Sequence, residues 1–404
     1  MTNATSTTIP DVLLEKPRIS SIDIVRGIVM VIMALDHTRD FFHADANLYN
    51  PTDLSKTTTI LFFTRWITHY CAPTFVFLSG VSVYISQQRK TKKELTFFLL
   101  TRGIWLLLLE FTVIRLGIIF NLYYDVLVFQ VIWVIGLSMV VLSGLIYLPF
   151  RAIVAIGVLI VAGHDLLHGI SFAPEDPFFV FFSLFHRGGF ITVSPGVSFL
   201  IMYPFLPWLG IMLLGYGVGR WYVKGIDPAA RKKFLLRAGL SAVGLFIVLR
   251  GVNLYGDPAP WALQQSGIFT LLSFLNTTKY PPSLLYTLMT IGPGLILLAW
   301  LEGKQVDLLK PFVVFGRVPM LYYILHFYLI HLASVVSYMI IAGKSFAEID
   351  FHFSTAFGGI PYGYGYGLVV VYAVWISVVL VLYPICSAYN RYKSTHDAWW
   401  LSYL

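Results

Sequence analysis

The chain has 404 residues, of which 57% are hydrophobic and only 12% are charged. A soluble domain has about 25% charged residues, so this composition excludes an ordinary globular fold. The formal net charge is +8, but the basic residues fall in short loops between apolar runs. That distribution sets membrane topology and does not build a nucleic-acid-binding face, so we expect no nucleic-acid partner.

Apolar runs of the length that a transmembrane helix needs, about 20 residues, recur along the chain. Because lipid offers no partner for unpaired backbone groups, each run predicts a helix. The predicted fold class is therefore all-α, a polytopic transmembrane helical bundle of about ten helices. The ninth run could form one kinked helix or two. The predicted spans are 20–42, 61–87, 96–121, 125–147, 150–168, 197–222, 233–254, 281–301, 312–341 and 366–389.

The loop charges predict the orientation of the bundle. Most loop Lys and Arg residues fall in alternate loops, which by the positive-inside rule places the N and C termini in the cytoplasm. The chain then divides into a disordered cytoplasmic tail (1–19), a membrane domain (20–390) and a cytoplasmic C-terminal tail (391–404). Four longer loops on the opposite side could cap a cavity, and these are 43–60, 169–196, 255–280 and 342–365.

Ionisable residues in the first span are the strongest functional signal, because such groups are costly inside a bilayer. Arg26 and His37 are eleven positions apart, so they share one helix face and lie about 16 Å apart along the axis. A molecule reaching through the bundle could bind Arg26 with its anionic part and present its reactive end to His37. The alternative is structural, with Arg26 paired to Asp23 and His37 capping the helix.

The second span carries a further pair of polar side chains. Arg65 and His69 have i, i+4 spacing and lie level with His37 in the predicted topology. Pro73 cannot donate a hydrogen bond to the His69 carbonyl, so we expect a kink there. His69 could carry a proton or bind a ligand, or it could be a buried histidine bonded to a neighbouring helix.

Three buried charges and one further histidine have open roles. Glu110, Arg115 and Arg250 should face the bundle interior, where they could pair with each other or with the first helix. His326 lies mid-membrane with Tyr322 four residues before it. A buried tyrosine–histidine hydrogen bond and a functional site are equally compatible with that spacing.

Two motifs resemble cofactor sites without completing them. His164 and His168 have the i, i+4 spacing of a metal pair but no obvious third ligand, so we expect no metal. The sequence GYGVGR at 215–220 imitates a dinucleotide fingerprint. It ends a membrane helix and follows no strand, so close helix packing is the better interpretation.

Several stretches resemble known membrane acyltransferases. Arg26 followed by His37 on the first helix resembles the signature of the integral-membrane acyltransferase-3 family. The sequences IDIVRG at 22–27 and PTFVFLSG at 73–80 are similar to heparan-α-glucosaminide N-acetyltransferase and its bacterial relatives. The resemblance extends over about residues 18–390 through WLGIMLLGY at 208–216, YPPS at 280–283 and FGRVPM at 315–320.

The resemblance implies a catalytic bundle of a bacterial cytoplasmic (inner) membrane. Acyl-CoA, most simply acetyl-CoA, would be the co-substrate, and the acyl group would reach an amine or hydroxyl of a glycan or other small polar acceptor on the far side. We assign Arg26 and Arg317 to acyl-CoA binding. Small-residue patches allow a homodimer within the membrane lipid.

The two relatives place the catalytic histidine differently. Acyltransferase-3 proteins have it at the position of His37, which Asp36 would orient here. The heparan enzyme has an asparagine at that position and a histidine slightly later, which His43 matches. Both histidines therefore stay candidates. The residues predicted to bind the acceptor are Arg39, Arg65, His69 and His326.

The predicted function is thus an integral membrane acyltransferase. The alternative is a transporter or flippase for a polar metabolite, whose path the same buried charges could line. No internal repeat or inverted symmetry is evident, which counts against transport. A non-catalytic scaffold would not explain so many costly buried ionisable groups.

Overall fold

The computed structural model describes residues 20–304 and 307–402. The predicted cytoplasmic tail 1–19 therefore lies outside the described residues. Helices dominate the described part of the chain. They are α1 (Ser20–Phe42), α2 (Thr59–Thr68), α3 (Cys71–Gln87), α4 (Lys92–Leu109), α5 (Arg115–Ile119), α6 (Val131–Leu145), α7 (Phe150–Gly163), α8 (Phe179–Phe182), α9 (Phe205–Gly219), α10 (Pro228–Val252), α11 (Gly267–Leu275), α12 (Leu284–Leu301), α13 (Lys310–Arg317), α14 (Pro319–Ala342) and α15 (Leu368–Thr395).

Short strands interrupt two of the predicted spans. Strand β1 (Val126–Phe129) pairs in parallel with β3 (Val197–Ile201), which pairs antiparallel with β2 (Gly189–Ser194). A second hairpin joins β4 (Ala356–Phe357) to β5 (Ile360–Pro361). The prediction of helices over 125–147 and 197–222 was therefore wrong for their first residues, which form strands β1 and β3. Continuous hydrophobicity fits a buried strand as well as a helix, which explains the error.

Six helical segments of the described chain are long and apolar enough to cross a membrane. Four other predicted spans fall outside this set. Helix α1 carries too many charges, the α2–α3 segment is divided into two shorter helices, and α6 and α9 have only 15 residues each. The ten-span count stays a prediction. The six segments are Lys92–Ile119, Phe150–Gly169, Pro228–Val252, Leu284–Leu301, Pro319–Ala342 and Leu368–Thr395.

Two of the breaks between helices coincide with prolines. The predicted kink above Pro73 is confirmed as a break between α2 and α3, and the freed His69 carbonyl accepts a hydrogen bond from the Tyr286 hydroxyl at 2.7 Å. The ninth span is two helices, because Pro319 starts α14 after a break at Val318. Proline is favourable at a first helical position, since its missing N–H has no intrahelical partner there.

Helix α1 lies at the centre of the bundle, in contact with α2, α3, α12, α13, α14 and α15. Its closest neighbour is α13. A Cβ atom added to Gly27 would lie 1.8 Å from the backbone carbonyl oxygen of Phe312. A Cβ atom added to Gly316 would lie 1.9 Å from the backbone carbonyl oxygen of Asp23. Backbone therefore packs directly on backbone, which fixes the position of the α1 side chains.

The glycine-rich end of α9 packs in the same way. A Cβ on Gly215 would lie 1.9 Å from the Phe77 carbonyl oxygen, and one on Gly80 would lie 2.0 Å from the Met212 oxygen. The interpretation of the GYGVGR stretch as a close packing site is confirmed at its first glycine.

Replacing Gly215 with alanine should lower the thermal unfolding midpoint of the detergent-solubilised protein. The added methyl overlaps backbone that cannot move away, and such overpacking costs about 1–3 kcal/mol or more. Gly244 of α10 has nothing within 4 Å of an added Cβ, so Gly244→Ala is the matched control and should leave the midpoint unchanged or raised. Equal midpoints for the two variants would contradict the close packing.

The buried charges in the membrane helices are inside the bundle, as predicted, but their partners differ from the expected ones. Arg115 donates to the Val126 carbonyl at 3.1 Å, and Arg250 donates to four backbone carbonyls. Glu110 accepts from the backbone N–H of Trp133 at 2.7 Å. The described contacts do not include the possible pairing with each other or with the first helix. Arg115 and Arg250 instead lie 3.4 Å from Asp125 and 3.9 Å from Asp257, loop carboxylates that sequence spacing does not show.

Candidate active site

Two cavities lie one after the other beside α1. The first has a volume of about 500 Å³ and is called the His37 cavity. Residues of the loops 43–60, 255–280 and 342–365 contribute to its wall, which confirms that these three loops cap a cavity. No residue of the loop 169–196 is among the described lining residues. The polar residues that line it include Asp36, His37, Arg39, Asp40, Asn47, Tyr49, Asn50, Arg65, Thr68, Gln130, Tyr203, Lys279, Tyr280, Tyr323 and Tyr362.

The second cavity has a volume of about 410 Å³ and is called the Arg26 cavity. Among the described residues that line it, the charged ones are all basic, and they are Arg26, Arg102, Arg317 and Lys393. Serines of α3 complete its polar wall, and they are Ser79, Ser82 and Ser86. This chemistry suits a ligand that carries several negative charges.

Three residues line both cavities and form what we call the partition: Phe75, Val131 and Tyr323. They come from α3, α6 and α14. The two cavities also follow each other along α1, because Met30 lines the Arg26 cavity and Met33 lines the His37 cavity. One helical turn separates these methionines. The two cavities are therefore neighbouring compartments of one interior.

His37 lies in the wall of its cavity with a carboxylate beside it. Its Nδ1 is 3.5 Å from an oxygen of Asp40, one helical turn later. The ring packs against Phe327, with centroids 4.2 Å apart. The carboxylate that contacts the imidazole is thus Asp40, whereas the expected Asp36 binds elsewhere. Residues three positions apart meet on a helix, which is the signal that could have identified Asp40.

Asp36 instead joins an ion cluster of three cations. Both of its oxygens accept hydrogen bonds from Arg65 at 2.6 Å, and Arg39 lies 3.1 Å away. The ammonium of Lys279 completes the set at 4.0 Å, and the Thr68 hydroxyl donates at 2.9 Å. Asp36 therefore holds together the α1, α2 and loop walls of the His37 cavity.

Lys279 and its neighbour Tyr280 were not predicted as site residues. Burial alone would raise the pKa of the Tyr280 hydroxyl, but Lys279 and Arg65 lower it below its usual range. Both residues lie just before α12 in a loop whose sequence gave no charge pattern pointing to the cavity. Only the fold brings this loop to the first helix.

His43 has a different environment from His37. It follows the last residue of α1, forms a backbone bridge to Tyr366, and accepts a hydrogen bond from the Asp45 N–H on Nδ1 at 3.3 Å. Burial lowers the pKa of its imidazole, and Arg39 lowers it further while Asp45 opposes the shift. His43 is not among the described residues that line either cavity.

The two other candidate histidines are buried behind the wall. The ring of His69 lies 5.5 Å from that of Tyr286, and His326 Nδ1 is 3.1 Å from the Tyr322 carbonyl oxygen. The tyrosine partner of His326 is thus the backbone and not the hydroxyl. His326 also lies 5.3 Å from the His37 ring, centroid to centroid. Among the described residues, neither is part of the lining of the His37 cavity or of the Arg26 cavity.

Two of the basic residues of the Arg26 cavity, Arg26 and Arg317, lie next to Asp23. Arg26 donates to Asp23 at 3.4 Å, to the Gly316 carbonyl at 3.1 Å and to the Ser82 hydroxyl at 3.3 Å. Arg317 lies 3.7 Å from the second Asp23 oxygen. The predicted pairing of Arg26 with Asp23 is present, and both arginines also line the cavity, so the structural and functional readings of Arg26 are compatible.

Histidines gather at one further place. His164 Nδ1 is 3.4 Å from His186 Nε2, and the His168 ring is 5.1 Å from that of His186. Over residues 20–304 and 307–402, no group of three or more His, Cys, Asp or Glu side chains has an arrangement suited to a metal ion. We assign this cluster no role.

Comparison with known proteins identifies the family. The sequence model of heparan-alpha-glucosaminide N-acetyltransferase, catalytic, matches residues 18–249, more than half of the chain. The curated proteins give no match. The matched range contains Arg26, His37 and His43, whereas Lys279 and Arg317 lie beyond it. The chain therefore belongs to the heparan-alpha-glucosaminide N-acetyltransferase catalytic family, and this family implies a membrane-bound N-acetyltransferase.

Proposed function

We propose that this protein transfers an acetyl group from cytoplasmic acetyl-CoA to an amine or hydroxyl of a glycan on the outer side of a bacterial inner membrane. The observation that carries the proposal is the pair of neighbouring cavities along α1, one basic at Arg26 and one holding His37. The transmembrane domain 20–390 would have ten spans and cytoplasmic termini, with the Arg26 cavity facing the cytoplasm.

The basic cavity suits the carrier. The phosphates of acetyl-CoA carry several negative charges, and Arg26 and Arg317 present guanidinium groups that bind phosphate oxygens in pairs. The thioester would then extend past the partition, about 16 Å along α1, to reach His37. That distance is within the length of the carrier's pantetheine arm.

His37 is the proposed general base. It removes a proton from the acceptor amine or hydroxyl as that group attacks the thioester carbonyl, and it returns the proton to the leaving thiolate. Asp40 orients the imidazole and stabilises its positive charge. Arg39 and Arg65, with Lys279, position the acceptor at the other wall of the His37 cavity.

The test uses the full chain purified in lipid nanodiscs with acetyl-CoA labelled in the acetyl group. We expect saturable binding and transfer of label to glycans from the membrane or cell wall. Label that stays on CoA with every glycan acceptor tried, combined with uptake of a polar solute into proteoliposomes, would favour the transporter instead.

Replacing Arg26 and Arg317 together with glutamine should weaken CoA binding about 10-fold or more, because charged hydrogen bonds are worth about 1.5–3 kcal/mol each. Lys310→Gln is the control, since Lys310 lies at the start of α13 with its side chain 74% exposed. Titration of CoA into each variant measures the affinities. Equal affinities for wild type and the double variant would exclude the Arg26 cavity as the carrier site.

A further inference from the structure

The partition contains a buried hydroxyl that the proposed mechanism has not used. Tyr323 is 4% exposed, and its Oη has no hydrogen-bond partner among the described residues. A buried polar group without a partner is unfavourable. Other tyrosine hydroxyls of the described chain, that of Tyr322 among them, also lack a partner, but Tyr323 is the one that lines both cavities. Its presence where two cavities meet points to a partner that arrives from outside the chain.

The position of Tyr323 on α14 explains why it belongs to both cavities. Pro319 and Met320 of the first turn line the Arg26 cavity, and Phe327, about two turns later, lines the His37 cavity. Tyr323 lies between them on the same helix face. A chain passing from one cavity to the other must therefore pass this side chain.

The aromatic neighbours connect Tyr323 to the catalytic histidine. Its ring lies 5.6 Å from His326 and 5.4 Å from Phe327. The same two rings contact His37, with centroids 5.3 Å and 4.2 Å away. Tyr323 and His37 thus approach one reaction space from two sides of a shared aromatic wall.

We propose that the Tyr323 hydroxyl donates a hydrogen bond to the carbonyl oxygen of the acyl thioester where it crosses the partition. This inference rests on the proposed acetyl transfer and assigns the oxyanion donor of that reaction. A thioester carbonyl is the hydrogen-bond acceptor that acetyl-CoA has and free CoA lacks, so Tyr323 distinguishes the loaded carrier from the spent one.

The hydroxyl acts without losing its proton. The acceptor nitrogen or oxygen forms a bond to the carbonyl carbon, and the carbonyl π electrons move to the oxygen, where Tyr323 stabilises the charge. The electrons then re-form the C=O bond as the C–S bond breaks. The thiolate of CoA leaves with the bonding pair and takes the proton that His37 removed from the acceptor.

The decisive experiment compares Tyr323→Phe with Tyr322→Phe. Tyr322 is the adjacent residue of α14, is equally buried and has an Oη without a partner in the described chain, but it lies outside the residues lining either cavity. Each substitution removes one unpartnered hydroxyl, so neither should lower the unfolding midpoint. A lower midpoint for Tyr323→Phe alone would show that its hydroxyl already has a partner and would overturn the proposal.

Binding is measured with two probes that need no acceptor: free CoA, and the amide analogue of acetyl-CoA, in which an N–H replaces the thioester sulfur and the acetyl group cannot leave. Wild type and Tyr322→Phe should bind the amide analogue about fivefold more tightly than CoA, and Tyr323→Phe should bind both equally. With labelled acetyl-CoA, kcat of Tyr323→Phe should fall about 100-fold, and KM for acetyl-CoA should rise about fivefold because the same hydrogen bond is lost from the bound substrate.

The outcomes separate this inference from the proposed function. If wild type binds both probes and Tyr323→Phe keeps the full preference for the amide analogue, the hydroxyl has no role with the carbonyl, and acetyl transfer stands without it. If wild type binds the two probes equally, the carbonyl is not recognised and the inference is wrong. If wild type binds neither probe, the proposed function and the inference both fail.

Discussion

Replacing His37 with alanine should reduce acetyl transfer about 1000-fold, while the affinity for CoA stays within twofold of the wild-type value. A positioned general base contributes about 10² to 10⁴ in rate. The imidazole lines the His37 cavity next to Asp40 and apart from the basic cavity, so its loss should remove chemistry without removing the carrier site. Single-turnover transfer of labelled acetyl groups measures the rate, and titration measures the affinity.

His43→Ala is the control, because the sequence alone left these two histidines as alternatives. His43 is half-buried beyond the end of α1, and its Nδ1 is occupied by the Asp45 N–H. We expect transfer within about threefold of wild type, as for a side chain that makes one neutral hydrogen bond away from the site. A near-complete loss in His43→Ala, with activity kept in His37→Ala, would reverse the assignment and favour the position found in the heparan enzyme.

The features of α1 that could be predicted from the sequence are those that helix periodicity determines. Arg26 and His37 share a face in any regular helix, and the structure places them in two neighbouring cavities beside that helix. The break above Pro73 was equally predictable, because the missing N–H acts locally. Such inferences need only the geometry of one segment.

The partners of Asp36 could not be predicted in this way. Its strongest contact, to Arg65, spans 29 positions, and Lys279 is in a loop far beyond the second helix. Which carboxylate meets which cation depends on how α1, α2 and the loop before α12 pack. The sequence pattern placed Asp36 next to His37 because they are adjacent in the chain, but adjacent residues on a helix point about 100° apart.

That packing leads to the second prediction. Asp36→Ala should lower the free energy of unfolding by about 3–5 kcal/mol, since it leaves the buried Arg65 and Lys279 without their closest counter-charge, while Arg39 keeps its contact with Asp40. Arg65 is 9% exposed, Arg39 is 2% exposed and Lys279 is 7% exposed. Their charges cannot be satisfied by solvent to any great extent. The loss of stability is measured as a lower thermal unfolding midpoint in detergent, determined by size-exclusion chromatography of heated samples, and the measurement needs no substrate.

Two further variants decide whether the ion cluster is the cause. Asp307→Ala removes an exposed carboxylate 2.8 Å from Lys310, and it should leave the midpoint unchanged, because exposed pairs contribute little. The double variant Asp36→Leu with Arg65→Met removes the closest opposite charges together and should recover part of the lost midpoint. If the double variant is less stable than Asp36→Ala, the stability contributed by Asp36 does not come from its pairing with Arg65. Recovery would mean that charge pairing between Asp36 and Arg65 holds the wall of the His37 cavity together. The residues nearest the proposed acceptor would then also determine the shape of that cavity.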